Sequence, residues 1–167
     1  MTQKVVPYLW FDKEAEEAAT LYVDLFKSRP GTPAGESKVI EVNRYTEGGP
    51  GEPGTAMVVS FELDGEEFTA LNGGPQFNFT EAVSFLVRCE SQDEVDYFWN
   101  ALTADGGEES QCGWLKDRFG LSWQIIPNRL MELLGDPDPG RSQRAMQAML
   151  QMQKIDVAEV ERAADAA

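Results

Sequence analysis

At 167 residues, with 42% apolar and 10% aromatic side chains, the chain has the size and composition of one folded domain with a packed core, and no apolar run approaches the roughly 18 residues of a membrane span. Twenty-nine acidic against fourteen basic side chains leave a formal charge of −15, which repels phosphate backbones and argues against nucleic acid as a partner; the same charge attracts cations, or simply keeps the protein soluble. The chain contains no histidine, which excludes Ser-His-Asp and Cys-His nucleophile pairs, imidazole general bases and the commonest transition-metal ligand together.

The N-terminal stretch carries one lysine and then a short apolar run that turns acidic, with no small-residue cleavage site, so a cytoplasmic location and no membrane association are expected. "KVVPYLWF" (4–11) reads as a strand ending at Asp12, which is placed to cap the helix "KEAEEAATLYVDLFKS", with Ala15, Ala18, Ala19, Tyr22, Val23 and Phe26 at helical spacing. "KVIEVNRYT" (38–46) alternates like a half-buried strand and precedes a loop rich in Gly and Pro. "TAMVVSFELDGEEFTALNGG" holds two strands joined at Asp64-Gly65, the dipeptide of a type I′ hairpin turn. Gly73-Gly74-Pro75 reads as the turn that carries the chain onward.

The order then repeats at an offset of about eighty residues, the pattern of an internal duplication. "EAVSFLVRC" (81–89) is a strand, and "SQDEVDYFWNALTADG" (91–106) a helix opened by Ser91 with Glu94 in a capping box. "GEESQCGWLKDRFGLSWQIIP" makes two or three strands turning at Phe119-Gly120. After Pro127 come a short helix and either one long helix or two short ones. Met146, Met149, Leu150, Met152 and Ile155 form a stripe expected to pack on the sheet or on a partner subunit. Cys89 and Cys112 lack CxxC spacing and are expected to be free thiols.

A doubled strand, helix and three-strand module, together with "PYLWFDKEAEEAATLYVDLFK", "LDGEEFTALNGGPQFNFTEAVSFLV" and "QCGWLKDRFGLSWQIIP", resembles the PhnB-like branch of the vicinal oxygen chelate superfamily over roughly residues 4–128. That superfamily includes glyoxalase I, extradiol dioxygenases and bleomycin and fosfomycin resistance proteins, and the branch is widely labelled 3-demethylubiquinone-9 3-methyltransferase. The resemblance implies an α+β fold of two βαβββ modules forming a curved mixed sheet, plus C-terminal helices. One domain over 1–167 is expected, with module one at about 4–74, module two at about 80–127 and a helical extension at 128–167. It also implies a homodimer, which would cover the Met-rich tail.

Metal-bearing members of the superfamily take two ligands from each module. Carried onto this sequence, the positions fall near Pro7, at Thr69 or Leu71, near Ser84 and at Gln124, with neighbouring registers open. Proline, a hydroxyl or leucine, serine and a neutral amide do not make a divalent-ion site, so no metal and no cofactor is expected. The methyltransferase label asks for a Gly-rich loop between a strand and a helix; "LNGGPQF" (71–77) has the glycines without the helix.

Alternation along "LSWQII" puts Ser122, Gln124 and Ile126 on one face and Leu121, Trp123 and Ile125 on the other. Gln124 then either offers a donor and an acceptor to a ligand or bonds to a neighbouring strand. Cys112 and Trp114 share parity with Lys116; a Cys beside a Lys is either an activated nucleophile or a small buried hydrophobe. Lys116, Asp117 and Arg118 read as solvated hairpin charges. In the first half, Tyr8 and Trp10 share a face, Asn72 ends a strand and Gln76 lies just beyond. Tyr8, Trp10, Asn72, Gln76, Cys112, Trp114 and Gln124 are therefore the candidate ligand-binding residues of an aromatic, amide-bearing cavity for an unidentified small molecule. Two alternatives stand beside metal-free binding. One is an enzyme, either a methyltransferase or an isomerase or lyase using Cys112, Tyr8 or a carboxylate as base; the other is sequestration of a cationic toxin or antibiotic.

Overall fold

The computed structural model describes residues 2–166, which fall into two compact units meeting in sequence at Phe79 and Thr80. The first unit contains β1 (Tyr8–Phe11), α1 (Ala15–Ser28), β2 (Lys38–Arg44), β3 (Ala56–Leu63) and β4 (Glu66–Asn72). Its sheet has the order β1-β4-β3-β2, with β1 parallel to β4 and the other pairs antiparallel. Leu9, Phe11, Val59, Phe61 and Ala70 are buried on the face that carries α1, whose own Ala15, Ala18, Ala19, Tyr22 and Val23 are buried. Ring contacts lock the layer: Tyr22 lies 6.3 Å from Phe61, which stacks on Phe68 at 5.5 Å.

The β3–β4 hairpin turns at Asp64 (φ 52°) and Gly65 (φ 85°), the left-handed pair expected of Asp-Gly. The Asp64 carboxylate is further tied to Arg29 at 2.6 Å, and its backbone N–H donates to Ser37 Oγ at 2.9 Å. The start of α1 differs from the sequence reading. The helix begins at Ala15 and its N-cap position is Glu14, without a side-chain cap bond. Asn72 Oδ1 instead accepts the Ala15 N–H at 2.8 Å, so a residue 57 positions away satisfies a donor that Asp12 was expected to take.

The second unit repeats the order with β5 (Ser84–Cys89), α2 (Gln92–Thr103), β6 (Glu108–Glu109), β7 (Trp114–Lys116) and β8 (Ser122–Pro127). The sheet order β5-β8-β7-β6, again with one parallel pair, matches that of the first unit. The two βαβββ modules make this the glyoxalase-type α+β fold. Ser91 Oγ accepts the Glu94 N–H, and Glu94 accepts the Glu90 N–H at 2.9 Å, closing the helix start from both sides. The helix ends at Thr103 and not at 106, because Asp105 (φ 55°) and Gly106 (φ 111°) leave the helical region.

The C-terminal segment forms α3 (Asn128–Leu134), α4 (Pro139–Met149) and α5 (Val157–Asp165), so the last stretch is two helices. Ile126, Leu130, Leu133, Ala145, Ile155, Val160 and Ala164 make a buried cluster joined by Met149 and Met152. The predicted stripe is therefore split: Met149, Met152 and Ile155 pack inward, while Met146 and Leu150 are exposed. The Gln92 side chain binds this tail to α2, donating to Ile155 O at 3.0 Å and accepting the Val157 N–H at 2.8 Å. Among the described residues no helix is long and apolar enough to cross a membrane.

Candidate functional site

In each unit one sheet face is covered by its helix and the other bears the chemically capable side chains. In the first unit that second face carries Tyr8 and Trp10 on β1, beside Thr69 and Leu71 in register on β4. Tyr8 is 58% exposed, whereas Trp10 is engaged: its Nε1 donates to Gly74 O at 2.9 Å and its ring meets Phe77 edge-on at 5.0 Å. A Cβ at Gly73 would run into the Trp10 ring, and Gly74 adopts φ 94°. The double glycine thus lets the chain pass close over an indole.

Asn72 is likewise occupied. Beyond holding Ala15, its Nδ2 donates to Ala56 O at 3.0 Å, and its carbonyl accepts Tyr45 OH at 3.1 Å. Gln76 is exposed, with its amide folded over Gly74. Asn72, Gly73, Gly74 and Tyr45, with Asp12, Lys13 and the 50–56 loop, border a cavity of about 680 Å³.

In the second unit Gln124 on β8 stands opposite Trp114 on β7, and both are half-buried. Gln124 Nε2 donates to Ser84 Oγ at 2.8 Å, so of its two possible engagements the one to a neighbouring strand is present. Trp123 points to the other face, packs 5.8 Å from Phe85 and donates its Nε1 to Asp117 Oδ2 at 2.9 Å.

Two expectations are corrected here. Asp117 is no solvated hairpin charge: it is 3% exposed and its Oδ1 accepts the N–H groups of Phe119 and Leu121, building the turn at Gly120 from inside. Cys112 does not share the β7 face with Trp114 and Lys116, because it lies before the strand with φ 59° and is followed by Gly113 at φ 83°. A left-handed pair breaks period-two alternation. The N–H groups of Cys112 and Gly113 instead bond to Met152 O and Gln153 O at 2.8 Å each, fastening the C-terminal segment.

The structure therefore brings Tyr8 and Trp10 together on one face, and Trp114 and Gln124 on another, with Asn72 and Cys112 serving as fasteners. It also shows a group that sequence reasoning missed. Glu81 pairs with Lys116, Glu108 lies opposite Lys116 in the β6–β7 register, and Ser122 lies opposite it on the other side in the β7–β8 register. The bond to Lys116, aided by a backbone N–H and by its charge, holds the Glu81 carboxyl below the usual range; the same pair, with Glu108, raises Lys116. Nothing in the spacing of Glu108, Lys116 and Ser122 along the chain marks them as a group; only strand register aligns them.

The positions that the resemblance gives to a metal carry no anionic donor, and Ser84 and Gln124 bond to each other. Among the described residues no three His, Cys, Asp or Glu side chains group as a metal site. These residues do not fit a divalent ion.

The family model described as 3-demethylubiquinone-9 3-methyltransferase matches residues 3–126. Among solved structures, the chain is similar to a PhnB protein from Bacillus cereus, provisionally described by the same activity, with 33% identity, 75% of this chain and 99% of that one covered, and a TM-score of 0.65. The fold is shared with a protein from Pseudomonas aeruginosa (20% identity, 75% and 98% covered, TM-score 0.58). It is shared also with the fosfomycin resistance protein FosX from Listeria monocytogenes, solved with Mn(II) and sulfate (14% identity, 81% and 97% covered, TM-score 0.51). No curated protein matches the chain.

Proposed function

The chain belongs to the 3-demethylubiquinone-9 3-methyltransferase family, the PhnB-like branch of the vicinal oxygen chelate superfamily, and from that premise we propose that it binds a small organic molecule without a metal ion. The observation that carries this reading is the second unit's open face. The amide of Gln124 and the hydroxyl of Ser84, at or near the positions that the family resemblance would give to metal ligands, lie bonded to each other, with the half-buried Trp114 indole opposite Gln124. An amide retains a carbonyl acceptor beyond its bond to Ser84, and an indole offers a flat apolar wall; together they recognise a small amphipathic molecule. Tyr8, exposed on the first unit's open face, supplies a second surface of the same kind.

The family's methyltransferase description does not fit the fold. A mixed βαβββ sheet is not the parallel sheet flanked by helices on which S-adenosylmethionine sits. The glycines after β4 are spent on Trp10 and lead to no helix before β5.

Native mass spectrometry of the protein as purified tests the proposal. An organic adduct without a divalent ion supports it, and one tightly held divalent ion per chain overturns it. The same spectrum reads the subunit count, for which a homodimer is expected.

A further inference from the structure

Ser122 is 1% exposed, and its Oγ has no hydrogen-bond partner among the described residues. Nearly all buried polar groups are paired, so an orphan hydroxyl on a cavity wall asks for a partner from outside the chain. The cavity in question holds about 150 Å³ and is lined by Ser122 together with Glu81, Glu108, Glu109, Trp114 and Lys116.

The register explains the grouping. Glu108, Lys116 and Ser122 form one row across β6, β7 and β8, and Trp114 stands one step along on the same face as Lys116. Glu81 reaches Lys116 from the segment before β5. Glu109 accepts the Trp99 Nε1–H at 2.8 Å, which fixes its carboxylate. Three carboxylates against one ammonium leave the cavity with two net negative charges, within a chain already strongly acidic.

The size and the charge select the occupant. With a water's share of liquid at roughly 30 Å³, the cavity admits a group of a few heavy atoms. An ammonium supplies N–H donors to a hydroxyl oxygen and to carboxylates, and the Trp114 ring offers a face for its carbon stem or its charge. The bond between Lys116 Nζ and Glu81 is an internal instance of the same chemistry at the rim.

We infer that this cavity is a subsite for the primary ammonium group of a small amine, received by Ser122 Oγ with Glu81 and Glu108. The inference rests on the reading of the second unit's open face as a binding surface and gives its ligand a charge.

The test is an NMR titration of the full ¹⁵N-labelled chain with ethylammonium chloride at constant ionic strength, with ethanol as the neutral control. Saturable shifts are expected at the Trp114 indole N–H and at the Lys116 and Ser122 amides. Ser122→Ala should weaken binding about tenfold, the loss of one charge-assisted hydrogen bond, and Glu108→Gln, on an exposed edge strand, several-fold. Unchanged ethylammonium affinity in both variants would mean that Ser122 Oγ is satisfied by water alone and would overturn the inference. Equal binding of ethanol would also overturn it while leaving small-molecule binding intact. The wider reading fails separately, if the mass spectrum shows a tightly held divalent ion.

Discussion

Gln124 on β8 donates its Nε2–H to Ser84 Oγ on β5 at 2.8 Å, across the parallel pair whose register sets Leu86 opposite Gln124. The two side chains are held by one another. Replacing Gln124 with Leu should leave the half-buried Ser84 hydroxyl without this donor and cost about 1 kcal/mol in urea denaturation. The double variant Gln124→Leu with Ser84→Ala should recover most of that loss, since both ends of the bond are then removed. If the double variant is as unstable as the sum of the single ones, the bond does not couple the strands.

Asn72→Ala removes the acceptor for the Ala15 N–H and the donor to Ala56 O in one step. A helix start and a strand lose their shared fastener, so a destabilisation of about 2 kcal/mol is expected by thermal or urea unfolding. Asn72→Asp keeps the acceptor alone and should fall between the alanine variant and the parent. A neutral effect of Asn72→Ala would show that this side chain does not hold the first unit together.

Gly73→Ala places a methyl group against the Trp10 ring, with backbone and indole both constrained by the Trp10 Nε1 bond to Gly74 O. Overpacking of this kind costs roughly 1–3 kcal/mol. Tryptophan emission should shift, because the ring must move from its contact with Phe77. Unaltered emission together with unaltered stability would contradict the close approach.

Acid should weaken the fold through its paired carboxylates. Hydrogen bonds from Arg44 to Glu16, from Lys38 to Glu36 and from Lys116 to Glu81 hold those carboxyls below their usual 4.5. Burial opposes ionisation of Asp96, yet bonds from Gln92 and Lys154 hold it below 3.8; the Asp138 N–H and Arg141 do the same for Asp136. A carboxyl lowered by folding contributes fully above its unfolded value and loses that contribution as pH falls through its folded value. The melting temperature should therefore begin to drop below about pH 4.5, and less steeply in high salt, because these groups are exposed or half-exposed at the surface, where salt screens them. A melting temperature that stays level down to pH 3 would show that these pairs do not couple folding to protonation.

Some of this protein was legible along the chain. Asp64-Gly65 forms its turn because both residues reach positive φ within the dipeptide itself, and Ser91 caps α2 through an N–H three residues on. The alternation of β8 put Trp123 and Gln124 on opposite faces for the same local reason. Asp117, by contrast, stood among Lys116 and Arg118 like any exposed charge, and only the folded hairpin buries it among the N–H groups of Phe119, Leu121 and Trp123.

The partners at long sequence distance belonged to the tertiary structure alone: Asn72 with Ala15, Gln124 with Ser84, Gln92 with Ile155 and Val157. The row of Glu108, Lys116 and Ser122 arises the same way. Backbone preference and hydrophobic period are properties of a few neighbouring residues, so the sequence by itself determined the order of strands and helices in both modules. Which side chain finds which partner depends on strand register and on left-handed breaks such as that at Cys112, and these are decided only when the whole sheet closes.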